Sequence, residues 1–393
     1  MYHRIMKEYF KKFQKEFPVL TILGPRQSGK TSLARDAFPD LPYANLESPR
    51  EREFAISDPE GFLAQFKEGA IVDEIQRAPD LLSYIQVRVD ESRRKGEFIL
   101  TGSHQFLLIN SITQSLAGRT SILNLLPMSL EELHQANLVS HESFAWHDHV
   151  FRGFYPALQG IERDIPLFHS SYIETYVQRD LREFLKINDL MSFQNFLRLC
   201  ATRVGQILNK DSLSRDAGLS PKTVEAWLSV LEASFIIFRL PPYFQNVGKR
   251  LIKSPKLYFY DVGIAAHLLG ITERSHVSAH PMAGALFENL IVSEAMKFYS
   301  NRGRRPGMFF YRDSNDNEID LLIEVPALKL RAIEIKSSMT YSPSFCKGLR
   351  TLKKMMPDKI ERQLIILGGG TADERTEFSI YPWNDLESKA FGF

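Results

Sequence analysis

The sequence predicts an α/β protein: a mostly parallel sheet covered on both faces, then a helical block, then a second and smaller α/β unit. Three observations carry the prediction. Over residues 1–140, short apolar runs alternate with stretches long enough for helices, which is the arithmetic of βαβ units. From about residue 165 to 260 the pattern turns helical and closes in an aromatic, proline-broken segment. From about 284 the order reads helix, three strands, helix, strand. A length of 393 residues accommodates two or three cores of ordinary size.

Composition narrows the classes further. With 44% hydrophobic and 24% charged residues, the chain is neither disordered nor fibrous. Cys200 and Cys346 are single and far apart, which excludes a disulfide framework or a cysteine-rich zinc site and predicts a reducing, cytoplasmic setting. Lysines interrupt the apolar residues of MYHRIMKEYFKKFQKEF, and nothing later approaches the roughly 20 apolar residues of a spanning helix. No membrane partner is expected. The formal net charge of +2 divides unevenly: −1 over residues 1–140, −3 over 141–180, +6 over 181–260 and zero over 261–393. One 80-residue block therefore holds the surplus and points to an anionic partner, the alternative being a solvated basic face.

The five N-terminal strands are expected at Pro18 to Leu23, Tyr43 to Leu46, Gly69 to Val72, Glu97 to Thr101 and Ser121 to Leu125. Between the first strand and the next helix, GPRQSGKT fits G-x-x-x-x-G-K-[ST], a loop whose backbone N–H groups cradle phosphates. Gly24, Pro25, Arg26, Gln27, Ser28, Gly29, Lys30, Thr31 and Ser32 are expected to line ATP. Lys30 would reach the β- and γ-phosphates, and the Thr31 hydroxyl would hold Mg²⁺. AIVDEIQRAPDLL ends a strand in Asp73, for the Mg²⁺ shell, and follows it with Glu74, for the attacking water. FILTGSHQ supplies a strand inserted between the two halves of the site, as in additional-strand ATPases. Thr101 or Ser103 would sense the γ-phosphate there, and the spacing does not separate them. Arg119, just before the fifth strand, fits an arginine finger completing a neighbour's site in a homo-oligomer, or else an ion pair or cap; Arg26 is a second candidate.

In the basic block, a helix from Lys210 to Ala217 ends at Gly218, and Ser220 with Pro221 opens the next. Val224, Trp227, Leu228 and Leu231 form its apolar stripe, leaving Lys222, Thr223, Ala226 and Ser229 outward. Strands Phe235 to Leu240 and Lys256 to Tyr260 would flank a wing with Lys249, Arg250 and Lys253. This winged-helix pattern suits DNA, held mostly through phosphates, or packing between domains. His147 and His149 in WHDHV lack further ligands in register and are expected on a surface loop.

Near the C-terminus, NEIDLLIEV and KLRAIEIKSS read as a hairpin. With its turn centred on Ala327, Asp320 falls opposite Glu334, and Lys336 shares the face of Glu334 while Ile333 and Ile335 point into the core. Opposed carboxylates repel unless a cation lies between them. With Glu288 and Glu294 on the preceding helix, the order matches PD-(D/E)XK nucleases. There Glu288, Asp320 and Glu334 would bind Mg²⁺ and Lys336 would position water. An ordinary ion-pair pattern, or a nuclease-like fold that no longer cuts, fits the same residues.

Together GPRQSGKT, AIVDEIQRAPDLL, ILTGSHQ, LAGRTS with LPMSLEEL, YIETYVQRDLREF, KSPKLYFYDVGIAAHLLG, the Gly284 to Tyr299 helix and NEIDLL with AIEIKSS resemble a large prokaryotic family. Its members are AAA+-like ATPases bearing a C-terminal domain of unknown function. The resemblance spans nearly the whole chain. It implies an α/β P-loop NTPase (additional-strand, AAA+-like) domain over 1–140, a helical connector over 141–180, a winged-helix domain over 181–260 and a restriction-endonuclease-like α/β domain over 261–393. Two functions stay open: an ATPase, in a homo-oligomer, that binds and processes branched or broken duplex DNA, and a nucleotide-controlled switch that binds DNA or protein without cleavage.

Overall fold

The computed structural model describes residues 2–103, 112, 115–139, 145–177, 190–244, 254–305 and 307–392. Lys249, Arg250 and Lys253 lie outside them, as does part of YIETYVQRDLREF. Strands β1 (Val19–Leu23), β2 (Tyr43–Asn45), β3 (Ala70–Asp73), β4 (Phe98–Gly102) and β5 (Thr120–Asn124) form one sheet in the order β2-β3-β4-β1-β5. Every neighbouring pair is parallel. β4 thus sits between β1 and β3, as expected of the inserted strand.

Parallel strands read as unbroken apolar runs because both faces are covered. Leu20, Ile22, Ile71 and Ile99 pack under Met6, Phe10, Leu33 and Phe38, from the helices Met6–Gln14 and Lys30–Ala37 and the end of the latter. Val19, Leu23, Val72, Phe98 and Leu100 face Phe62, Leu82, Ile85 and Val89 on the other side. At the start of β3, Gly69 has φ +99, and a Cβ there would lie 1.8 Å from the Glu97 carbonyl oxygen, so only glycine fits.

The middle block is built from the helices Leu190–Ala201, Lys210–Ala217 and Pro221–Ala233, followed by strands β6 (Ile237–Leu240) and β7 (Lys256–Phe259) in an antiparallel pair. Gly218 takes φ +64 after the second helix, and Ser220 Oγ accepts the Thr223 N–H at 3.1 Å to cap the third. Val224, Trp227, Leu228 and Leu231 are buried, as their spacing required. Trp227 meets the rings of Phe193 and Phe196 edge-on, each with a centroid separation of 5.2 Å.

One expectation is corrected. WHDHV is not a surface loop but the start of a helix, Trp146–Arg152, in which Trp146, His149 and Val150 fall at i, i+3 and i+4 and are buried. His149 packs against Phe154 and Trp383, and burial pushes its pKa down to about 3, so the ring is neutral.

The last unit opens with the helix Ala283–Asn301 and continues into β8 (Met308–Arg312), β9 (Glu318–Val325), β10 (Lys329–Lys336), β11 (Ile360–Leu367), β12 (Asp373–Glu374) and β13 (Ser379–Pro382). The sheet order is β12-β13-β11-β10-β9-β8. β9 and β10 pair antiparallel from Lys329↔Val325 to Ile333↔Leu321, the register read from the sequence, with Ala327 at φ 64 in the turn. β12 and β13 extend the sheet beyond the strands expected. One apolar cluster runs from Met128 through the middle helices to Phe391, so the middle block and the last unit share a core.

Trp227→Ala should lower the unfolding free energy by about 3–5 kcal/mol, because it removes a buried ring packed edge-on against Phe193 and Phe196 and leaves a cavity. Urea denaturation measures this. A loss below about 1 kcal/mol would mean that the three rings do not form the packing centre of the block.

Candidate functional site

The phosphate-binding loop follows β1 at the carboxyl edge of the first sheet. Gly24 is in close approach: a Cβ on it would meet the Leu125 carbonyl oxygen at 2.1 Å. Gln27 (φ 60) and Gly29 (φ 93) are left-handed, which turns the loop into the amino end of the helix Lys30–Ala37. Lys30 Nζ donates to the Gly24 and Pro25 carbonyls at 2.9 and 2.8 Å. Ser28 Oγ is buried with no hydrogen-bond partner among the described residues. A buried hydroxyl in that state is unusual and indicates a polar ligand at the loop. Ser32, one turn into the helix, is exposed.

Thr31 Oγ1 donates to both Asp73 oxygens at 3.0 and 2.9 Å, and the Tyr43 hydroxyl donates to Asp73 Oδ2 at 2.7 Å. A hydroxyl and a carboxylate on adjoining backbone ends are hard oxygen donors that suit Mg²⁺. Glu74, the next residue, adopts φ 57 and ψ 46, a left-handed conformation that side-chain-bearing residues seldom take. Its carboxylate accepts from Ser103 Oγ at 3.0 Å and from Gln76 Nε2, which also reaches Ser103 Oγ at 3.1 Å. Thr101 Oγ1 instead donates to Asp73. The two hydroxyls that the sequence left unresolved therefore have different carboxylate partners: Thr101 donates to Asp73 while accepting the Glu74 N–H at 3.3 Å, and Ser103 donates to the Glu74 carboxylate.

Arginines border the same edge. Glu47 stands 3.9 Å from Arg26 Nη1 and 3.3 Å from Arg77 Nη2, and the Tyr172 hydroxyl donates to the Arg26 carbonyl at 3.4 Å. Arg119 lies at the opposite, amino edge of the sheet, where its carbonyl accepts the Val19 N–H. Its guanidinium is fork-paired with Asp90 at 2.6 and 2.8 Å.

A second cluster lies in the last unit. Lys336 Nζ is 2.6 Å from Glu334 Oε1 and 3.5 Å from Asp320 Oδ2, and Asp320 Oδ2 also accepts the Ile335 N–H at 2.8 Å. Glu288, from the helix Ala283–Asn301, joins them through Lys256, whose Nζ is 2.9 Å from Glu288, 2.6 Å from Glu318 and 4.0 Å from Asp320. Glu294, on the same helix, points elsewhere: it accepts the Leu130 N–H at 2.7 Å and pairs with Lys297. Burial, with the Asp320 charge added, pushes Glu288 up to about 7 and Glu334 up to about 8, outweighing the ammonium groups beside them. The expected acids and Lys336 do converge, but around two ammonium groups, and among the described residues no three His, Cys, Asp or Glu side chains are placed to hold a metal ion.

Sequence reasoning missed Lys256, Glu318, Tyr43, Gln76, Glu47 and Arg77 at these sites. Lys256 left one trace, a lysine opening the apolar strand KLYFY, where a buried charge demands a partner. Arg77 and Gln76 follow the strand-end acids directly in DEIQR.

The raised carboxyls carry a pH dependence. A folded-state value above the unfolded one means that the native protein holds the proton longer, so stability falls as pH rises from about 4.5 to about 8. Glu334→Gln should flatten that decline in thermal melts recorded across the window. An unchanged slope would show that Glu334 does not titrate there.

Comparison with known proteins fits this geometry. Residues 16–134 match an AAA domain (AAA_14), residues 143–275 a domain of unknown function (DUF8612) and residues 283–386 another (DUF4143). The uncharacterized protein Rv2008c of Mycobacterium tuberculosis is 27% identical over 336 residues, 85% of this chain and 73% of that protein, and Mb2031c of Mycobacterium bovis gives the same figures. Among solved structures, the Walker-type ATPase PABY2304 of Pyrococcus abyssi is 18% identical, with a TM-score of 0.42 over 67% of this chain and 94% of its own. AMPPCP-bound DnaA from Aquifex aeolicus is 12% identical, with a TM-score of 0.30 over 58% of this chain and 86% of its own. Over residues 16–134 the chain is thus similar to AAA domains.

Proposed function

We propose that the protein is a Mg²⁺-dependent ATPase that binds DNA and works on branched or broken duplex. The observation that carries the hydrolytic part is the division of labour at one sheet edge: Thr31 with Asp73, and Ser103 with Glu74, on neighbouring strand ends beside Lys30. In this reading Lys30 leaves the Gly24 and Pro25 carbonyls for the β- and γ-phosphates, while the loop N–H groups take the remaining oxygens. Thr31 and Asp73 hold Mg²⁺, which when bound neutralises charge on the phosphates. Glu74 accepts a hydrogen bond from water and aims its oxygen at the γ-phosphorus. As the new P–O bond forms, the water proton passes to the Glu74 carboxylate and the bond to the β,γ-bridging oxygen breaks, giving ADP and phosphate. Ser103 and Gln76 keep the Glu74 carboxylate from rotating away. Arg119, remote from its own loop, is assigned to a neighbouring copy's nucleotide in a homo-oligomer, after release from Asp90.

Support for DNA rests on the +6 of residues 181–260 and on the helix, turn, helix and hairpin of that block. Its cations are not all available to phosphates. Arg203 pairs with Asp216, Lys210 with Glu225, and Arg239 with Glu225 and Glu232, while Lys256 is buried. Arg198, Arg215 and Lys222 are exposed, and the last two flank the turn at Gly218. A phosphate-tracking contact there would be salt-sensitive and weakly sequence-specific. The second reading, a nucleotide-controlled switch with a last unit that does not cleave, is favoured by the ammonium groups that fill the carboxylate cluster.

Glu74→Gln should lower ATP turnover at least about 100-fold while nucleotide still binds, and Lys30→Ala should weaken binding itself. Phosphate release with and without single-stranded, duplex and four-way DNA, at two salt concentrations, tests the rest. Turnover that survives Glu74→Gln would reject the assigned site. Failure of every DNA to bind or stimulate would reject the DNA reading and leave the switch acting on protein.

A further inference from the structure

Four carboxylates meet in the last unit, Glu288, Glu318, Asp320 and Glu334, and the group that fills the space among the first three comes from a different part of the chain. Lys256 belongs to β7 of the middle block, its side chain is only 3% exposed, and its Nζ lies within 4.0 Å of Glu288, Glu318 and Asp320. We propose that this centre carries its cation on the chain: Lys256 is the counter-ion of Glu288, Glu318 and Asp320, and it excludes a divalent ion for as long as β7 is seated.

The seat is built, not incidental. Asn289 grips the end of β7 like a strand neighbour, its Oδ1 accepting the Phe259 N–H at 2.7 Å and its Nδ2 donating to the Phe259 carbonyl at 2.9 Å. One turn position earlier, Glu288 Oε1 accepts from both Lys256 Nζ at 2.9 Å and the Tyr258 hydroxyl at 2.5 Å. Along the same edge β7 bridges to Val204 and Ile207, and its other edge pairs with β6. β7 is therefore held on both edges, and the Lys256 side chain is buried with its ammonium paired to Glu288 and Glu318.

A second ammonium takes further oxygens, although Glu334 Oε2 stays buried without a hydrogen-bond partner among the described residues. Lys336 lies on Glu334 Oε1 and Asp320 Oδ2, and the Ile335 N–H fills Asp320 Oδ2 again. Mg²⁺ or Mn²⁺ needs several oxygens at about 2.0–2.2 Å and a place free of other positive charge. An ammonium about 4 Å from a divalent ion in a buried setting repels it strongly, so lysine and metal compete for one position. The residues present thus do not fit a resident metal in this arrangement. The ammonium offsets only part of the repulsion among the four acids, since burial and the Asp320 charge still hold Glu288 and Glu334 above the ordinary carboxylate range.

The test counts bound Mn²⁺ by electron paramagnetic resonance in the full chain without nucleotide, with circular dichroism as the check on folding. Wild type and Asp320→Asn should bind equal numbers of ions, because the centre holds none. Lys256→Met should gain one ion, bound at least about tenfold more tightly than any binding at the centre in wild type, and Lys256→Met/Asp320→Asn should lose it again. An ion lost from wild type on Asp320→Asn overturns the proposal, and so does a folded Lys256→Met that gains none. The first comparison stands even if Lys256→Met does not fold. None of these arms contains nucleotide, so the outcome is separate from the ATPase reading.

Discussion

A charge inside an apolar core must be accompanied by its opposite, and this chain places such pairs at the junctions between its parts. Arg4, before the first helix, is 5% exposed and uses all three arms of its guanidinium: Nε to Glu132 at 2.9 Å, Nη1 to the Ser28 carbonyl at 2.7 Å and Nη2 to the Leu126 carbonyl at 2.7 Å. Glu132 in turn takes the Ile5 and Ser129 N–H groups, each at 3.0 Å. One residue along the capped helix Leu130–Gln135, the Leu130 N–H reaches Glu294, which pairs with the fully buried Lys297 at 2.7 Å over the Phe154 ring. Removing one member of such a pair typically costs about 3–5 kcal/mol, since the survivor has no water to turn to. These pairs fix where the phosphate-binding loop, the connector and the last unit stand.

The helix Ala283–Asn301 is the element they share. Its 19 residues span roughly 28 Å, enough to present different residues to different neighbours. Near its start, Glu288 and Asn289 hold β7. In its second half, Glu294 and Asn301 hold the cap of the helix Leu130–Gln135, Asn301 Nδ2 donating to Ser129 Oγ at 3.3 Å, while Arg302 just beyond it binds Glu131 at 2.7 Å. An unbroken set of polar contacts runs from the Ser28 carbonyl in the phosphate-binding loop, through Arg4, Glu132 and Ser129, to the helix that carries Glu288. Contiguity provides a route for coupling; the energy that a nucleotide would put through it depends on two arrangements of these elements differing in affinity.

How much of this was legible in the sequence follows from the range of each interaction. The five strands of the first sheet were legible because each is a short apolar run between turn residues, and the insertion of β4 because FILTG follows AIVD with one helix between. The β9–β10 register was legible because a turn at Ala327 leaves only one pairing that buries Ile333. Ser103 and Thr101 are two residues apart on one strand end, so their division between Glu74 and Asp73 depends on side-chain direction rather than spacing. Lys256 was legible only as the start of a strand flanking the wing, since its acids lie 32 to 64 residues away and nothing local distinguishes a solvated lysine from a buried one. His149 shows the converse error: two histidines and an aspartate in WHDHV hid an i, i+3, i+4 stripe.

The two carboxylate sites differ in one physical respect that decides what each can bind. Asp73 is surrounded by neutral hydroxyls, those of Thr31, Tyr43 and Thr101, which solvate its charge without cancelling it. Burial and that uncancelled charge together push the Tyr43 phenol above its ordinary range. Such a site keeps its attraction for a cation, and the donor hydroxyl of Thr31 can turn its lone pair to the same ion. Asp320 instead faces Lys256 and Lys336, so its negative charge is already matched. The proposed Mg²⁺ site and the acid cluster of the last unit therefore differ in their surroundings, neutral hydroxyls at Asp73 and two ammonium groups at Asp320. The distinction lies in the neighbours and not in the acids, which is why a motif of acids and a lysine, taken alone, specifies where a centre is but not whether it holds a metal.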